Sequence, residues 1–141
     1  MSSPNPVDGP PSGAPGGKTS LGLDSNLGAM LCYIANIICC LGVILSIIFV
    51  ITEKENRFVK FHALQSLFLC GVFVALLIVV EILGVILGMV HLGLLATGLW
   101  IVLVLIFLAI WILVGMKAYG GQWYKLPGIG DVAFNMANKT S

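Results

Sequence analysis

Three long stretches of the chain carry no Lys or Arg and almost nothing polar, and short charged or turn-rich segments divide them. Leu27 to Ile51 holds no charged residue, and as a helix it rises about 37 Å, enough to cross a hydrocarbon core of about 30 Å with some tilt. Asp24 and Ser25 supply N-cap candidates ahead of it. The second stretch, Ala63 to about Val90, is interrupted only by Gln65, Ser66 and Glu81. It predicts a helix over about 57–90 whose first two turns lie in the interface. The third, Leu92 to Met116, is again uncharged and predicts a helix over about 92–116. The link around His91 is short, so the last two helices are antiparallel neighbours. The fold class is therefore all-α membrane, with three transmembrane helices.

The remaining segments frame this membrane domain, placed at 24–137. Residues 1–20 are rich in Pro, Gly and Ser, cannot bury enough surface to order themselves, and read as a disordered tail. Residues 117–137 mix turn residues with Tyr119, Trp123 and Tyr124, whose rings suit the headgroup level. Asp131 to Asn138 reads as a short interfacial helix that dips Val132, Phe134 and Met136 into lipid.

Small residues form a stripe along the first helix at Gly28, Cys32, Ala35, Cys39, Gly42 and Ser46, spaced four, three, four, three, four. Helix 2 repeats the spacing at Cys70, Val74, Leu77, Glu81, Gly84 and Gly88. In lipid, helices associate through close backbone approach, so two such stripes predict a hairpin. Laid antiparallel, they put Gly28 near Gly88, Ala35 near Glu81 and Ser46 near Cys70. Helix 3 is Leu, Ile and Val nearly all round from Leu99 to Leu108 and suits lipid exposure.

Composition agrees. Of the 141 residues 59% are hydrophobic and 9% charged, against about one quarter charged in a soluble domain. The bilayer is thus the first partner. A net charge of +1 without a basic block predicts no nucleic acid partner. Cys32, Cys39, Cys40 and Cys70 form no CxxC pair and read as small packing residues, with no metal framework. No secretory or transit signal opens the chain.

Lys and Arg set the orientation. Lys54, Arg57 and Lys60 follow the first helix, and Lys117, Lys125 and Lys139 follow the third, leaving Lys18 alone on the other side. The positive-inside rule then predicts a multi-pass protein of the cell membrane with its C-terminus cytoplasmic and its N-terminus outside.

Glu81 is the one charged side chain inside a span. Ionised near the bilayer centre it costs about 3 kcal/mol. Asn36, at matching depth, is its expected partner, with Tyr33 and His91 as fallbacks. His62 and His91 stand about 43 Å apart along a straight helix and share no metal. His62 is expected among the headgroups. No catalytic constellation, phosphate loop or cofactor signature occurs, so an enzyme is not expected and no cofactor is assigned.

Two motifs remain. The turn TEKENRFVKFHALQS holds Arg57, Phe58, Phe61, His62, Gln65 and Ser66; YKLPGIGDVA holds Lys125, Pro127, Gly130 and Asp131. Together they resemble a family of small, mostly prokaryotic multi-pass membrane proteins built on a domain of unknown function. That family is distantly similar to the chloroplast inner-envelope protein-import component. The resemblance covers about residues 24–137 and implies a fold rather than an activity. The expected function is assembly, as a homo-oligomer or with other membrane proteins. The alternatives are a small transporter or channel subunit using Glu81, and an accessory component of protein translocation.

Overall fold

The computed structural model describes residues 17–38, 41–54 and 56–139. These contain five α-helices and no strand: α1 Ser25–Ile34, α2 Leu41–Thr52, α3 Arg57–Met89, α4 Gly93–Tyr119 and α5 Ile129–Lys139. Two of them, α3 and α4, are long and apolar enough to span a bilayer. That corrects the expectation of three.

The first apolar stretch does not cross the membrane; it folds back on itself. After α1 the chain tightens into a 3-10 turn at Ala35–Ile37, and Ile38 leaves helical geometry at φ −98, ψ 61. α2 then returns to the side from which α1 came. Three hydrogen bonds close the two open ends together. The Ser20 amide donates to Glu53 Oε2 at 2.8 Å, Ser20 Oγ meets Thr52 Oγ1 at 3.1 Å, and Asn56 Nδ2 donates to the Lys18 carbonyl at 3.3 Å. With 10 and 12 residues, α1 and α2 rise only about 15 and 18 Å, roughly half the hydrocarbon core.

Gly28, Cys32, Gly42 and Ser46 of this stripe are buried and Ala35 is half-buried, but the stripe's glycines face the hairpin itself rather than α3. A Cβ on Gly28 would touch Thr19 and Phe49, and one on Gly42 would overlap Asn36, so only glycine lets α2 start beside the 3-10 turn. Cys32 and Ser46 are fully buried. Cys39 lies outside the described residues. The expected pairing of Gly28 with Gly88 is absent: Gly88 has nothing within 4 Å, while Gly84 faces Ala96 of α4 at 3.6 Å.

The α3–α4 hairpin forms as expected. Asn56 caps α3, its side chain accepting from the Val59 amide. At the other end the Leu92 amide reaches back to the Leu87 carbonyl at 2.8 Å, and His91 takes the left-handed conformation at φ 62. That is a helix-closing geometry which usually falls to glycine. α5 exists too, two residues earlier than expected, with Gly130, Ala133 and Ala137 turned inward. Val132 and Met136 are exposed, but Phe134 packs on Phe61 and Trp123 instead of dipping into lipid.

Burial divides the molecule into two ends. Around the start of α3 and the finish of α4, the rings of Tyr33, Phe49, Phe58 and Phe61 are fully buried. Beyond Leu69 on α3, Val80 alone is buried. On α4 the buried residues begin only at Phe107. Residues 17–20, expected to belong to the tail, are tied into the thick end by the bonds above. That end therefore collects Lys18 as well as the other six Lys and Arg residues, and the separation of Lys18 from the rest does not hold. Residues 1–16 of the expected tail lie outside the described residues.

Candidate functional site

The thick end is organised by one face of α3. His62, Gln65 and Ser66 lie at i, i+3 and i+4, the spacing that stacks side chains on a helix, and all three are fully buried. His62 Nε2 sits 3.0 Å from the Gln122 carbonyl, which can only accept, so this nitrogen carries the proton. In the neutral ring Nδ1 is then the acceptor, and the Tyr33 hydroxyl donates to it at 3.0 Å. The Tyr33 oxygen accepts from Gln65 Nε2 at 2.9 Å. Gln65 Nε2 also donates to the Tyr124 carbonyl at 3.0 Å, while Gln65 Oε1 accepts from the Leu126 amide at 3.0 Å. At the next residue, Ser66 Oγ donates to the Cys32 carbonyl at 2.6 Å and accepts from Asn36 Nδ2 at 2.8 Å. Cys32 lies in the last turn of α1, where carbonyls lack helical partners.

The network therefore clamps two otherwise independent segments to α3. Tyr33, Cys32 and Asn36 hold the inner end of the α1–α2 hairpin. The backbone of 122–126 is held as a strap on the other side. Aromatic packing completes the strap, with Phe58 and Phe61 against Trp123 at centroid distances of 5.2 and 5.3 Å. Lys125 Nζ lies 3.9 Å from the Phe134 ring and 3.4 Å from Asp131. Pro127 turns the strap into α5. A Cβ on Gly130 would collide with the Lys125 backbone, so a residue without one is required there. His62, Gln65, Ser66 and the Tyr33 hydroxyl are each bonded on both sides, while Asn36 Oδ1 and Trp123 Nε1 are buried without a hydrogen-bond partner among the described residues.

Several expectations change. Asn36 pairs with Ser66, not Glu81. His62 is at the centre of the buried network, not among headgroups. Lys60 is buried as well, so the basic turn is not a simple lipid-facing patch. Tyr33, by sequence only a fallback partner for Glu81, joins the two motif residues His62 and Gln65. Its buried hydroxyl was legible as needing a partner, but nothing in the spacing identified which one. Arg57 opens α3 with its Nε buried.

Glu81 stands apart, exposed on the thin end. It borders an open groove of about 300 Å³ with Val80, Gly84, Gly93, Ala96, Thr97 and Trp100. The Thr97 hydroxyl is turned to the Gly93 carbonyl at 3.2 Å. Among the described residues no group of three His, Cys, Asp or Glu side chains could hold a metal ion.

Comparison with known proteins adds a family. Residues 24–133 match the magnetosome magnetite crystal formation protein family. A UPF0132 membrane protein of Methanocaldococcus jannaschii is 44% identical over 117 residues, covering 83% of this chain and 92% of that protein. A second from the same organism is 35% identical over 120 residues, covering 81% and 71%. One from Archaeoglobus fulgidus is 38% identical over 96 residues, covering 66% and 82%. These matches do not show the likeness to the chloroplast import component. No solved structure matches significantly.

Proposed function

The chain belongs to the magnetosome magnetite crystal formation protein family, and from that premise we propose that it acts without catalysis, as one copy in a membrane assembly joined through the thin end of α3 and α4. The relatives' names call them membrane proteins, which supports a place in a membrane. The observation that carries this reading is Glu81. Its carboxyl is exposed where the neighbouring side chains, Ile78, Val79, Ile82 and Val85, are also exposed and apolar. A charge left facing hydrocarbon costs about 3 kcal/mol. A second copy laid on this face would cover the carboxyl and give it polar partners such as Thr97. Gly88, Gly93 and Gly98 have open space around them, which admits the close backbone approach that drives association in lipid. Crosslinking between copies bearing single cysteines at Gly88 and Gly98 tests it. Efficient crosslinks that Glu81→Leu weakens are expected; a purely monomeric protein at native abundance would end this reading.

The open groove beside Glu81 supports a second reading, a conductance path. Cation flux in liposomes that Glu81→Gln alters would favour it, and absence of flux removes it.

With all seven Lys and Arg at one end, the positive-inside rule supports that end facing the cytoplasm of the cell membrane. Both Lys18 and Lys125 are then reached by the same one-sided label. Labelling of the two from opposite faces would reject the arrangement.

A further inference from the structure

We infer that the molecule is a wedge that prefers membranes bulging toward its Lys-rich end. The cross-section changes sharply along α3. Over the first turns of α3, five helices share one level: α1, α2, α3, the last turns of α4, and α5, which packs on Phe61 and Leu64. The inner end of α1 is tied to Ser66, nine residues into α3, a depth of about 14 Å, close to one leaflet of hydrocarbon. Past Ala75 on α3 and before Leu103 on α4, the described residues contain these two helices alone.

The thick end is bathed in lipid, not water. Ile44, Ile47, Ile48 and Ile51 of α2 are all exposed, Ile51 at 70%, up to the charged residues Glu53 and Lys54. On the opposite flank Ile112, Leu113 and Met116 of α4 are exposed. A soluble surface would not carry so continuous an apolar band. The leaflet at the Lys-rich end must therefore make room for about three more helices, each about 10 Å across, than the other leaflet does. Such an imbalance in lateral area is relieved when the wider end sits on the convex side of a curved membrane. Inclusions confined to one side of the bilayer are curvature-sensitive for this reason.

The test uses the full chain in phosphatidylcholine vesicles, a lipid without net charge, so that lipid charge gives no orientation of its own. Vesicles about 40 nm and about 400 nm across carry on average one chain or fewer, which removes association as a cause. A membrane-impermeant amine reagent then reports the fraction of Lys54 and Lys125 facing outward. The outward-to-inward ratio is expected to be about threefold higher in the small vesicles. Equal ratios at both diameters, or a lower ratio in the small ones, would overturn the wedge. Crosslinking in the same samples reads the assembly proposal separately, so either idea can fail alone.

Discussion

The two ends of the α3–α4 hairpin solve the same problem in opposite ways. At the thick end, the polar side chains of one α3 face enter the core and are answered within the chain. Gln65 alone makes three hydrogen bonds, to Tyr33, Tyr124 and Leu126. At the thin end the described residues offer Glu81 no such shell and leave the apolar faces to lipid. In hydrocarbon, burial against a neighbour gains little hydrophobic energy, so unsatisfied polar groups and close packing decide what associates. The thick end is therefore held mainly by its own bonds, and the thin end depends on what surrounds it. The residues of both sequence motifs belong to the thick end, which is why they describe an architecture.

That contrast can be broken most severely at Gln65. Gln65→Leu leaves the Leu126 amide, the Tyr124 carbonyl and the Tyr33 hydroxyl without it, and each orphaned buried group costs about 1–3 kcal/mol. A loss of about 3 kcal/mol or more is expected in reversible unfolding from mixed micelles, with release of α5 seen as faster amide exchange. A loss below about 1 kcal/mol would mean that water already serves these groups.

Gly42→Val ranks next. Its side chain meets Asn36, and overpacking of this kind costs about 1–3 kcal/mol. Amide exchange should rise through α1 and α2 while α4 near Leu94 stays protected. Uniform change along the chain would argue against a separate hairpin. Tyr33→Phe removes the donor to His62 Nδ1 and an acceptor for Gln65, at a cost of about 1–2 kcal/mol. The His62 ring should then lose its fixed tautomer in nitrogen NMR shifts; unchanged shifts would contradict the assigned bond.

At the thin end the effects on the single chain are smaller and change sign. Glu81→Leu should leave monomer stability within about 0.5 kcal/mol or raise it, since no partner among the described residues is lost. Only association should fall, as read by crosslinking yield. Lys125→Gln is the mildest. Its ion pair and ring contact lie at an exposed site, and a change under about 1 kcal/mol is expected.

The sequence read the α3–α4 hairpin within a few residues at each end, because a helix forced to span lipid must be long, uncharged and capped. It also found α5 and the burial of Gly28, Cys32, Gly42 and Ser46, whereas Val74, Glu81 and Gly88 of the second stripe are exposed. What it missed was the break at Ala35–Ile38. No Pro, charge or turn motif marks it. Helical periodicity runs through Gly28, Cys32, Ala35, Gly42 and Ser46 whether the chain continues straight or doubles back. The break is written in partners instead: Ser66 takes the Cys32 carbonyl and the Asn36 amide, and Gly42 makes room. Such bonds join residues about thirty positions apart, beyond any local pattern. His62 was misplaced for the same reason, since its burial comes from the strap of 122–126 closing over it.

By itself, then, the sequence determined the solvent, the helical class and the two spans, because transferring backbone and side chains into hydrocarbon imposes length and composition on contiguous residues. Only the tertiary structure decided that the first apolar stretch turns back and gathers every Lys and Arg at one end. Hydropathy measures whether a segment belongs in lipid and not how far it goes. How far it goes is set by long-range hydrogen bonds made deep in the bundle.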